Sequence, residues 1–434
     1  MRPLSRAPTG CAYTPDVRQN RVRWGLTVAF ALTVAGCTSS DDQVASTAPA
    51  TAAASSPADT EAPGTAAPGT DAPVTTDSLG TTIAPSTTVI DTTTDAPTTT
   101  VQRPVISDAP CTFAPLGDRG STITFVRDSK VYELSSDWTT GSCLADAADG
   151  GASSLQWSPS GEAVLLDSAR VLDATGIRET GYLADNTGVS WSYPTGKALI
   201  APAVADGALL WRTAGEPGTR RDISFLQRTD VAAYHVAGKN VFAAGVDPNG
   251  LAGIFVASNR GDNVRTVATL DDPSTRITEL ASDISGQQLY IVHDHGSMWE
   301  LHVIQFPGLA LGTFFDTPEP ISHLTVDEIS GNVAVQVGDC SGITHVLAPS
   351  WGLDPVAANS DLSALSTTPI GWLNSNQLVV AARPTGCTGP ADIWVVDSSG
   401  SLHWVLSGVE LASVRSKVGT FGELPDDINA QAPG

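Results

Sequence analysis

Residues Leu155–Leu166 read LQWSPSGEAVLL, two short apolar runs separated by Ser-Pro-Ser-Gly. Proline presets the backbone of a tight turn, and the glycine at position 161 accepts the positive φ that follows. The stretch therefore predicts a hairpin between an inner strand that ends at Trp157 and a neighbouring strand formed by EAVLL.

The same apolar–turn–apolar unit recurs along the chain. Its turn residues are Gly120, Gly161, Gly196, Gly238, Gly286, Gly331 and Asn376, at spacings of 41, 35, 42, 48, 45 and 45 residues. Units of this length are typical of propeller blades. Helical periodicity is nearly absent, while short aliphatic and aromatic runs are frequent. The sequence predicts an all-β chain, a β-propeller of seven blades, with six or eight as the alternatives.

Aromatic residues recur at fixed places in these units. They lie four or five residues before the turn (Trp157, Trp191, Tyr234, Trp372) and on the predicted third strands (Trp211, Phe255, Trp299, Trp394). Large flat side chains fill the gaps between adjacent sheets. We interpret them as packing residues between blades rather than as a sugar-binding platform.

The WSPSG turn followed by an aliphatic strand resembles the WD40-like repeat of TolB-type β-propellers. The resemblance covers about residues 109–416, although WSYPTG is a loose match and the other units keep only the turn and the hydrophobic pattern. It implies a propeller that serves as a platform for protein interactions. Two segments could complete the first blade, CTFAP (111–115) as its inner strand or VELASVRS (409–416) as a closure strand.

The first 36 residues have the pattern of a secretory signal. Arginines at positions 18, 21 and 23 precede the apolar run GLTVAFALTVAG, which is too short to span a bilayer. The boundary Val34-Ala35-Gly36-Cys37 resembles the lipobox of bacterial lipoproteins, which implies acylation of Cys37, with lipid chains of the palmitate type. We expect the protein on the extracytoplasmic face of the bacterial cell membrane, attached through this lipid anchor only.

Composition divides the rest of the chain into three parts. Residues 37–105 comprise the lipidated cysteine and a Thr-, Ala- and Pro-rich linker with few large apolar side chains, which predicts a disordered tether. Residues 106–416 contain the repeats and form the predicted propeller. Residues 417–434 are predicted to be a flexible acidic tail.

Net charge limits the classes of partner. Residues 103–434 contain 18 Lys and Arg against 37 Asp and Glu, a net charge of −19. A body this acidic repels phosphate backbones and anionic headgroups, so nucleic acid is excluded as a partner. We expect a monomer that binds a cell-envelope protein or a small ligand.

The cysteine count indicates disulfides. Four cysteines fall in the predicted body, at positions 111, 143, 340 and 387, and an even number in an exported chain favours disulfide bonds. Three connectivities are possible. Since Cys340 and Cys387 occupy equivalent loops of neighbouring units, we pair them, which leaves Cys111 with Cys143.

Acidic residues recur where the second predicted strand of a unit leads into the third. Six units have an aspartate there, and the seventh has arginine: Asp128, Asp167, Asp206, Asp247, Asp294, Asp339 and Arg383. These connections share one face of a propeller, and we call these seven residues the rim. Aspartate also favours turns by bonding its own backbone, which is the preferred interpretation. The functional alternative is a rim that attracts a basic protein segment or a cation. We expect no cofactor unless carboxylates converge closely enough for calcium.

Motifs for catalysis are absent from the sequence: there is no GxSxG, HExxH, P-loop or dinucleotide fingerprint. We predict that the chain is not an enzyme, and the alternative is a carbohydrate- or peptide-active hydrolase that uses rim carboxylates. His293 and His295 point to one face of a predicted strand and could hold a metal. Because they precede Gly296 at a strand end, we interpret them as solvated loop histidines and expect no metal.

Overall fold

A computed structural model describes residues 103–416, apart from 148–150, 183–187, 193–195, 197, 203–207, 215, 220, 225–229, 238–239, 247–249, 259, 261, 271–274, 284–286, 307–309, 328, 349–350, 352–361 and 385–388. The chain divides into two compact units, Met1–Asp91 and Thr92–Gly434, and every described residue lies in the second. The described residues form 28 strands and no helix. Accordingly, none of them belongs to a helix that could cross a bilayer.

The strands group into seven sheets. Sheet 1 contains β1 (Val105–Ile106), β2 (Thr122–Arg127), β3 (Lys130–Leu134), β4 (Thr140–Asp146) and β28 (Leu411–Arg415), in the spatial order β1-β4-β3-β2-β28. Sheet 2 contains β5 (Gln156–Trp157), β6 (Ala163–Leu165), β7 (Arg170–Asp173) and β8 (Gly176–Glu179). Sheet 3 contains β9 (Ser190–Trp191), β10 (Ala198–Pro202), β11 (Ala208–Thr213) and β12 (Arg221–Ser224).

The remaining sheets follow in chain order. Sheet 4 contains β13 (Asp230–Ala237), β14 (Asn240–Val246), β15 (Ala252–Ser258) and β16 (Arg265–Thr269). Sheet 5 contains β17 (Arg276–Ser282), β18 (Gln288–Asp294), β19 (Trp299–Gln305) and β20 (Ala310–Thr317). Sheet 6 contains β21 (Ile321–Val326), β22 (Val333–Val337) and β23 (Ile343–Leu347). Sheet 7 contains β24 (Ser366–Asn374), β25 (Gln377–Arg383), β26 (Ala391–Asp397) and β27 (Leu402–Val409).

Sheets 2 to 7 are antiparallel meanders, and contacts between first strands link sheets 4 to 7, the closing strand β28 and sheet 2 in turn. β13 contacts β17, β17 contacts β21, β21 contacts β24, β24 contacts β28, and β28 contacts β5. Sheets 2 and 3 share a core that includes Leu165, Val171, Trp191 and Leu199. This arrangement of small radial sheets is a β-propeller, as predicted. The described residues give one sheet for each predicted turn, and the blade count of seven stays a prediction.

The WSPSG turn has the predicted hairpin geometry. Gly161 has φ of +69° and donates its N–H to the carbonyl of Ser158 at 2.8 Å. A Cβ at position 161 would lie 2.8 Å from the carbonyl oxygen of Ser416, which follows β28. The glycine is therefore required twice, by the turn and by the close approach of the end of the closing strand.

Two of the aromatic residues before the turns, Trp157 and Trp191, contact the preceding sheet, as predicted for packing residues. Trp157 is buried and its Nε1 donates to Thr124 Oγ1 of sheet 1 at 2.7 Å. Trp191 is buried and its Nε1 donates to the carbonyl of Gln156 in sheet 2 at 2.8 Å. Each indole thus reaches back to the preceding sheet. The side chains of Trp211 and Tyr234 lie outside the described residues.

The first sheet is completed by the C-terminal strand. β28 pairs with β2 in antiparallel register, from Thr122 opposite Arg415 to Val126 opposite Leu411. The alternative inner strand, CTFAP, has no strand structure. Of the two segments considered for closure, VELASVRS is therefore the correct one.

A buried cation fixes the end of this closing strand. Arg415 is fully buried, and it donates from Nε to the carbonyl of Gly161 at 2.8 Å and from Nη1 to Glu133 Oε1 at 3.0 Å. Its Nη2 donates to the carbonyl of Ala114 at 2.9 Å, and its guanidinium carbon lies 4.2 Å from the centroid of the Trp157 ring. The three nitrogens thus tie β28 to sheet 1, sheet 2 and the segment before β2.

A disulfide holds that preceding segment in place. Cys111 and Cys143 are bonded, as predicted, and the bond joins the segment to β4. It places Phe113 and Ala114 beside Arg415. Cys340 is also disulfide-bonded, and Cys387, its predicted partner, lies outside the described residues.

Sheets 4 and 5 pack face to face, and this contact determines the surroundings of the site described below. Phe242 and Ile254 of sheet 4 pack with Leu289, Ile291 and Ile304 of sheet 5. The opposite face of sheet 5, which includes Tyr290, Val292 and Leu301, packs against sheet 6. Since side chains alternate along a strand, odd positions of β18 and even positions of β19 face sheet 4.

Candidate functional site

Two rim aspartates form turns in their own loops. Oδ1 of Asp167 accepts hydrogen bonds from the N–H groups of Ala169 and Arg170, both at 2.8 Å, and its Oδ2 pairs with Arg170 Nε at 2.6 Å. Oδ1 of Asp294 accepts from the N–H of Gly296 at 2.6 Å. These contacts are those of the preferred, turn-forming interpretation.

The other rim residues occupy similar loop positions. Asp128 has φ of +51° in the β2–β3 turn, and the carbonyl of Asp339 accepts from the N–H of Gly342 at 2.7 Å. Arg383 donates from Nε to the carbonyl of Gly389 at 3.3 Å, and burial lowers the pKa of this guanidinium. Asp206 and Asp247 lie outside the described residues.

In the described part of the chain, no three rim carboxylates lie close enough together to share a metal ion. There, one group of at least three His, Cys, Asp or Glu side chains is close enough to share an ion: His293, His295, Glu300 and His302. We call these four residues the hairpin site. The hairpin site contains the two histidines noted in the sequence and two further residues, Glu300 and His302, that sequence reasoning missed.

All four residues of the hairpin site come from one β-hairpin. His293 in β18 lies directly opposite Glu300 in β19, and His302 lies opposite Ile291. Because side chains alternate, these three residues and His295 share the face of sheet 5 that packs against sheet 4. Their order in the sequence is H-x-H-x4-E-x-H. A period of two on both sides of a short turn is the signal that could have identified Glu300 and His302.

The turn of the hairpin aligns the two halves of the site. The N–H of His295 donates to the carbonyl of Met298 at 2.9 Å, and Gly296 between them has φ of +80°. Asp294 caps this turn through its bond to the N–H of Gly296. The rim residue of this sheet thus holds His295 in position.

Nitrogen and oxygen atoms converge closely at the site. Glu300 Oε2 lies 2.7 Å from His295 Nε2, 2.8 Å from His302 Nε2 and 3.7 Å from His293 Nδ1. His293 Nδ1 lies 3.3 Å from His302 Nε2. One ligand atom from each residue lies within 4.8 Å of the other three.

One side of the site is buried and the other is accessible. His293 is 2% exposed and His302 is 7% exposed. The side chains of His295 and Glu300 are 31% and 26% exposed. The expectation of solvated loop histidines is therefore wrong for His293, because the contact with sheet 4 covers this end of β18.

Burial and neighbouring charge set the ionisation of the site. Burial, reinforced by the nearby imidazoles of His295 and His302, lowers the pKa of His293 to about 4. Burial acts to raise the pKa of Glu300, but hydrogen bonds and charge from His295 and His302 outweigh it, so the pKa lies below its ordinary value. At neutral pH the site therefore contains a carboxylate and a neutral imidazole at His293.

The outer nitrogens of the two buried histidines differ in their surroundings. His302 Nδ1 lies 3.4 Å from Thr313 Oγ1 on β20, which orients the ring. His293 Nε2 is buried and has no hydrogen-bond partner among the described residues.

Comparison with known proteins adds the following. No family model and no curated protein matches the chain. Solved structures similar to it include one from a study of two prolyl endopeptidases, with 12% identity, a TM-score of 0.46 and coverage of 68% of this chain and 50% of that one. Another is TolB from Acinetobacter baumannii, with 14% identity, a TM-score of 0.37 and coverage of 68% and 66%. A third is the Cps50 (Swd1) β-propeller domain of Myceliophteria thermophila, with 17% identity, a TM-score of 0.41 and coverage of 58% and 85%.

These similarities assign no activity. The chain spans half the length of the prolyl endopeptidase structure, and the matches include both a peptidase and proteins of other kinds. A propeller hosts many unrelated functions, so function has to be argued from the site.

Proposed function

We propose that the chain is a lipid-anchored, extracytoplasmic β-propeller that acts as a binding module of the cell envelope. Its binding surface is the end of sheet 5 where β18 is connected to β19. The observation that supports this most strongly is the convergence of His293, His295, Glu300 and His302 on an accessible surface. Binding residues are commonly found on loops that a rigid scaffold positions.

Charge favours a cationic ligand at this surface. The carboxylate of Glu300 is accompanied by Asp294 in the adjacent turn, and the body as a whole is strongly acidic. An anionic ligand would meet both of these negative charges. A small cation or a basic segment of an envelope protein is the class of ligand that this surface suits.

The hydrolase alternative lacks a specific supporting observation. Hydrolysis of a glycoside needs two carboxyl groups about 5–10 Å apart, one of them available as a general acid. Both oxygens of Asp167 and one of Asp294 are bonded to groups in their own turns. The chain is therefore proposed as a binding protein, and the absence of enzymatic activity stays a prediction.

The anchor is tested by replacing the cysteine that would carry the lipid. Cys37→Ser should move the protein from the membrane fraction to the soluble fraction, since the tether that follows has no apolar segment to hold it. A Thr38→Ser variant is the matched control and should remain membrane-bound. If Cys37→Ser protein still requires detergent for its release, the lipid anchor is wrong.

The binding function is tested by crosslinking in native envelopes. Wild-type protein is compared with a His295→Gln/Glu300→Gln variant of the hairpin site and with an Asp128→Asn/Asp339→Asn variant of the rim. We expect capture of a specific envelope component by the wild type and the rim variant, and its loss from the hairpin variant. Equal capture by all three would place the binding surface elsewhere on the propeller.

A further inference from the structure

We infer that the hairpin site is a binding site for a divalent transition metal of the zinc class, coordinated by His293, His295, Glu300 and His302. This inference rests on the proposal that the end of the β18–β19 hairpin is the binding surface, and it specifies the ligand. The four ligand atoms are His293 Nδ1, His295 Nε2, His302 Nε2 and a carboxylate oxygen of Glu300.

The separations of these atoms suit a tetrahedral ion. Zinc binds imidazole nitrogen and carboxylate oxygen at about 2.0–2.2 Å, so its ligand atoms lie roughly 3.3–3.5 Å apart. Four of the six distances among these atoms, 2.7, 2.8, 3.3 and 3.7 Å, bracket this value. The two shortest have hydrogen-bond length and would have to open by about half an ångström around an ion, a shift within the reach of the partly exposed His295 and Glu300.

Donor type selects the class of metal. Three imidazoles and one carboxylate suit zinc and its neighbours nickel, copper and cobalt. Calcium takes six to eight oxygen ligands, and magnesium needs an octahedral set of oxygens. Since three of the four donors at this site are nitrogens, the calcium considered for the rim does not fit here.

The hairpin supplies a preorganised site. Pairing of His293 with Glu300 fixes the spacing across the strands, and the turn capped by Asp294 fixes His295. Thr313 lies against the outer nitrogen of His302, where metal-bound histidines usually have a polar partner. The buried floor formed by His293 and His302 and the exposed side formed by His295 and Glu300 leave a route for the ion to enter.

Ion binding also gives a reason for the crowding of polar groups at the site. One carboxylate oxygen faces three imidazole nitrogens, and His293 is almost fully removed from solvent. A pure folding role would be served better by apolar side chains in this position between two sheets.

The first experiment is a zinc titration of full-length protein in detergent, with a chelator of known affinity as competitor. We expect one zinc per chain. The His295→Gln/Glu300→Gln variant should bind more than about 100-fold more weakly, since removal of even an outer-shell partner often costs 10–100-fold in affinity. Both residues are partly exposed, so the variant should keep the β-type circular dichroism and urea midpoint of the wild type.

His403→Gln is the matched control. His403 is an exposed histidine of β27, 3.5 Å from Asp397 and outside the hairpin site, so this variant should bind zinc like the wild type. Stoichiometric zinc binding that persists in the His295→Gln/Glu300→Gln variant would overturn the assignment of the site. So would the absence of zinc binding by the wild type.

Cobalt provides a spectroscopic test of coordination. Co²⁺ in the wild type should give the intense visible absorption of a four-coordinate ion, and zinc should displace it. A weak, octahedral type of spectrum, or preference for Ca²⁺ over Zn²⁺, would contradict the four-ligand site. These titrations need no partner, so a chain that binds zinc but captures no envelope component would retain the metal site and lose the envelope-binding proposal. A chain that captures an envelope component but binds no zinc would retain the envelope-binding proposal and lose the metal site.

Discussion

The closing strand and the β18–β19 hairpin both place ionisable groups in the interior, but with opposite results. At closure, the three guanidinium nitrogens of Arg415 each donate to a different acceptor, and Glu133 also accepts from Thr122 Oγ1 at 2.7 Å. At the hairpin, one carboxylate oxygen lies near three imidazole nitrogens.

The difference separates a structural role from a binding role. A buried charge whose hydrogen-bonding groups are all engaged holds a fold in a single arrangement. A half-buried group of donors that share one acceptor has capacity for a further ligand. Satisfaction of hydrogen bonds, rather than burial alone, therefore distinguishes the two regions.

The largest expected effect is at the closing strand. Arg415→Ala leaves Glu133 buried without its main partner and should lower the free energy of unfolding by about 3–5 kcal/mol. The measurement is urea denaturation of the full-length protein. Arg119→Ala, which removes the half-exposed partner of the same carboxylate, is the control and should cost no more than about 1 kcal/mol. An equal loss of unfolding free energy in both variants would show that the buried Arg415 is no more important for stability than the half-exposed Arg119.

The disulfide that orders the segment beside Arg415 should have the next largest effect. Replacement of Cys111 and Cys143 by serine releases a loop of 32 residues and should cost about 3–4 kcal/mol by chain entropy. Because Ala114 would then be less well held, the effect of Arg415→Ala should shrink in this background. Strict additivity of the two losses would show that the segment and Arg415 act independently.

The burial of His293 in the hairpin should make the stability of the protein depend on pH. With chelator present, the folded protein has a pKa of about 4 at His293, below its ordinary value of 6.5. Above pH 6.5, His293 is neutral in both the folded and the unfolded state. Below pH 6.5, the unfolded chain binds a proton at His293 before the folded protein does, which favours unfolding. Stability should therefore fall between pH 6.5 and pH 4, by up to about 3 kcal/mol. His293→Gln should lack this component, and identical pH profiles in the two proteins would show that His293 does not titrate in this way.

Two rim aspartates should differ in their effect on zinc binding although both form turns. Asp294→Ala and Asp167→Ala each remove a turn-forming carboxylate and should cost about 1 kcal/mol in unfolding experiments. Only Asp294 positions His295, so only Asp294→Ala should also weaken zinc binding, by about 10-fold. Equal zinc affinities in the two variants would show that the turn does not position the site.

Local signals in the sequence were sufficient for most of the fold. The turn chemistry around Gly161 and its recurrence predicted the hairpins, and the aromatic residues before the turns predicted the contacts between sheets. The closing strand could not be chosen from local pattern, because CTFAP and VELASVRS are both short apolar runs. The segment that completes the sheet is the one that pairs with β2, and this pairing joins residues almost 300 positions apart.

The site was harder to predict than the fold. His293 and His295 were recognisable as a pair, but their burial depends on the packing of sheet 4 against sheet 5, which no local pattern encodes. Glu300 and His302 lie beside these two histidines because the length of the hairpin turn sets which residues of β18 and β19 are opposite one another. The role of the rim aspartates could be predicted from sequence, because turn formation by aspartate depends only on neighbouring residues.

Closure by the last strand also affects the order of events after synthesis. The hydrogen bond from Thr124 Oγ1 to the carbonyl of Ser413 spans 289 residues. Until Arg415 has been synthesised, β2 has an unpaired edge, and such an edge can pair with other chains. Contacts of such long range form slowly, whereas the hairpin site is contained within ten residues and forms from neighbours. Folding of this chain would therefore depend on protection of its first sheet until the last strand is available, and the hairpin site would be complete long before the ring of sheets closes.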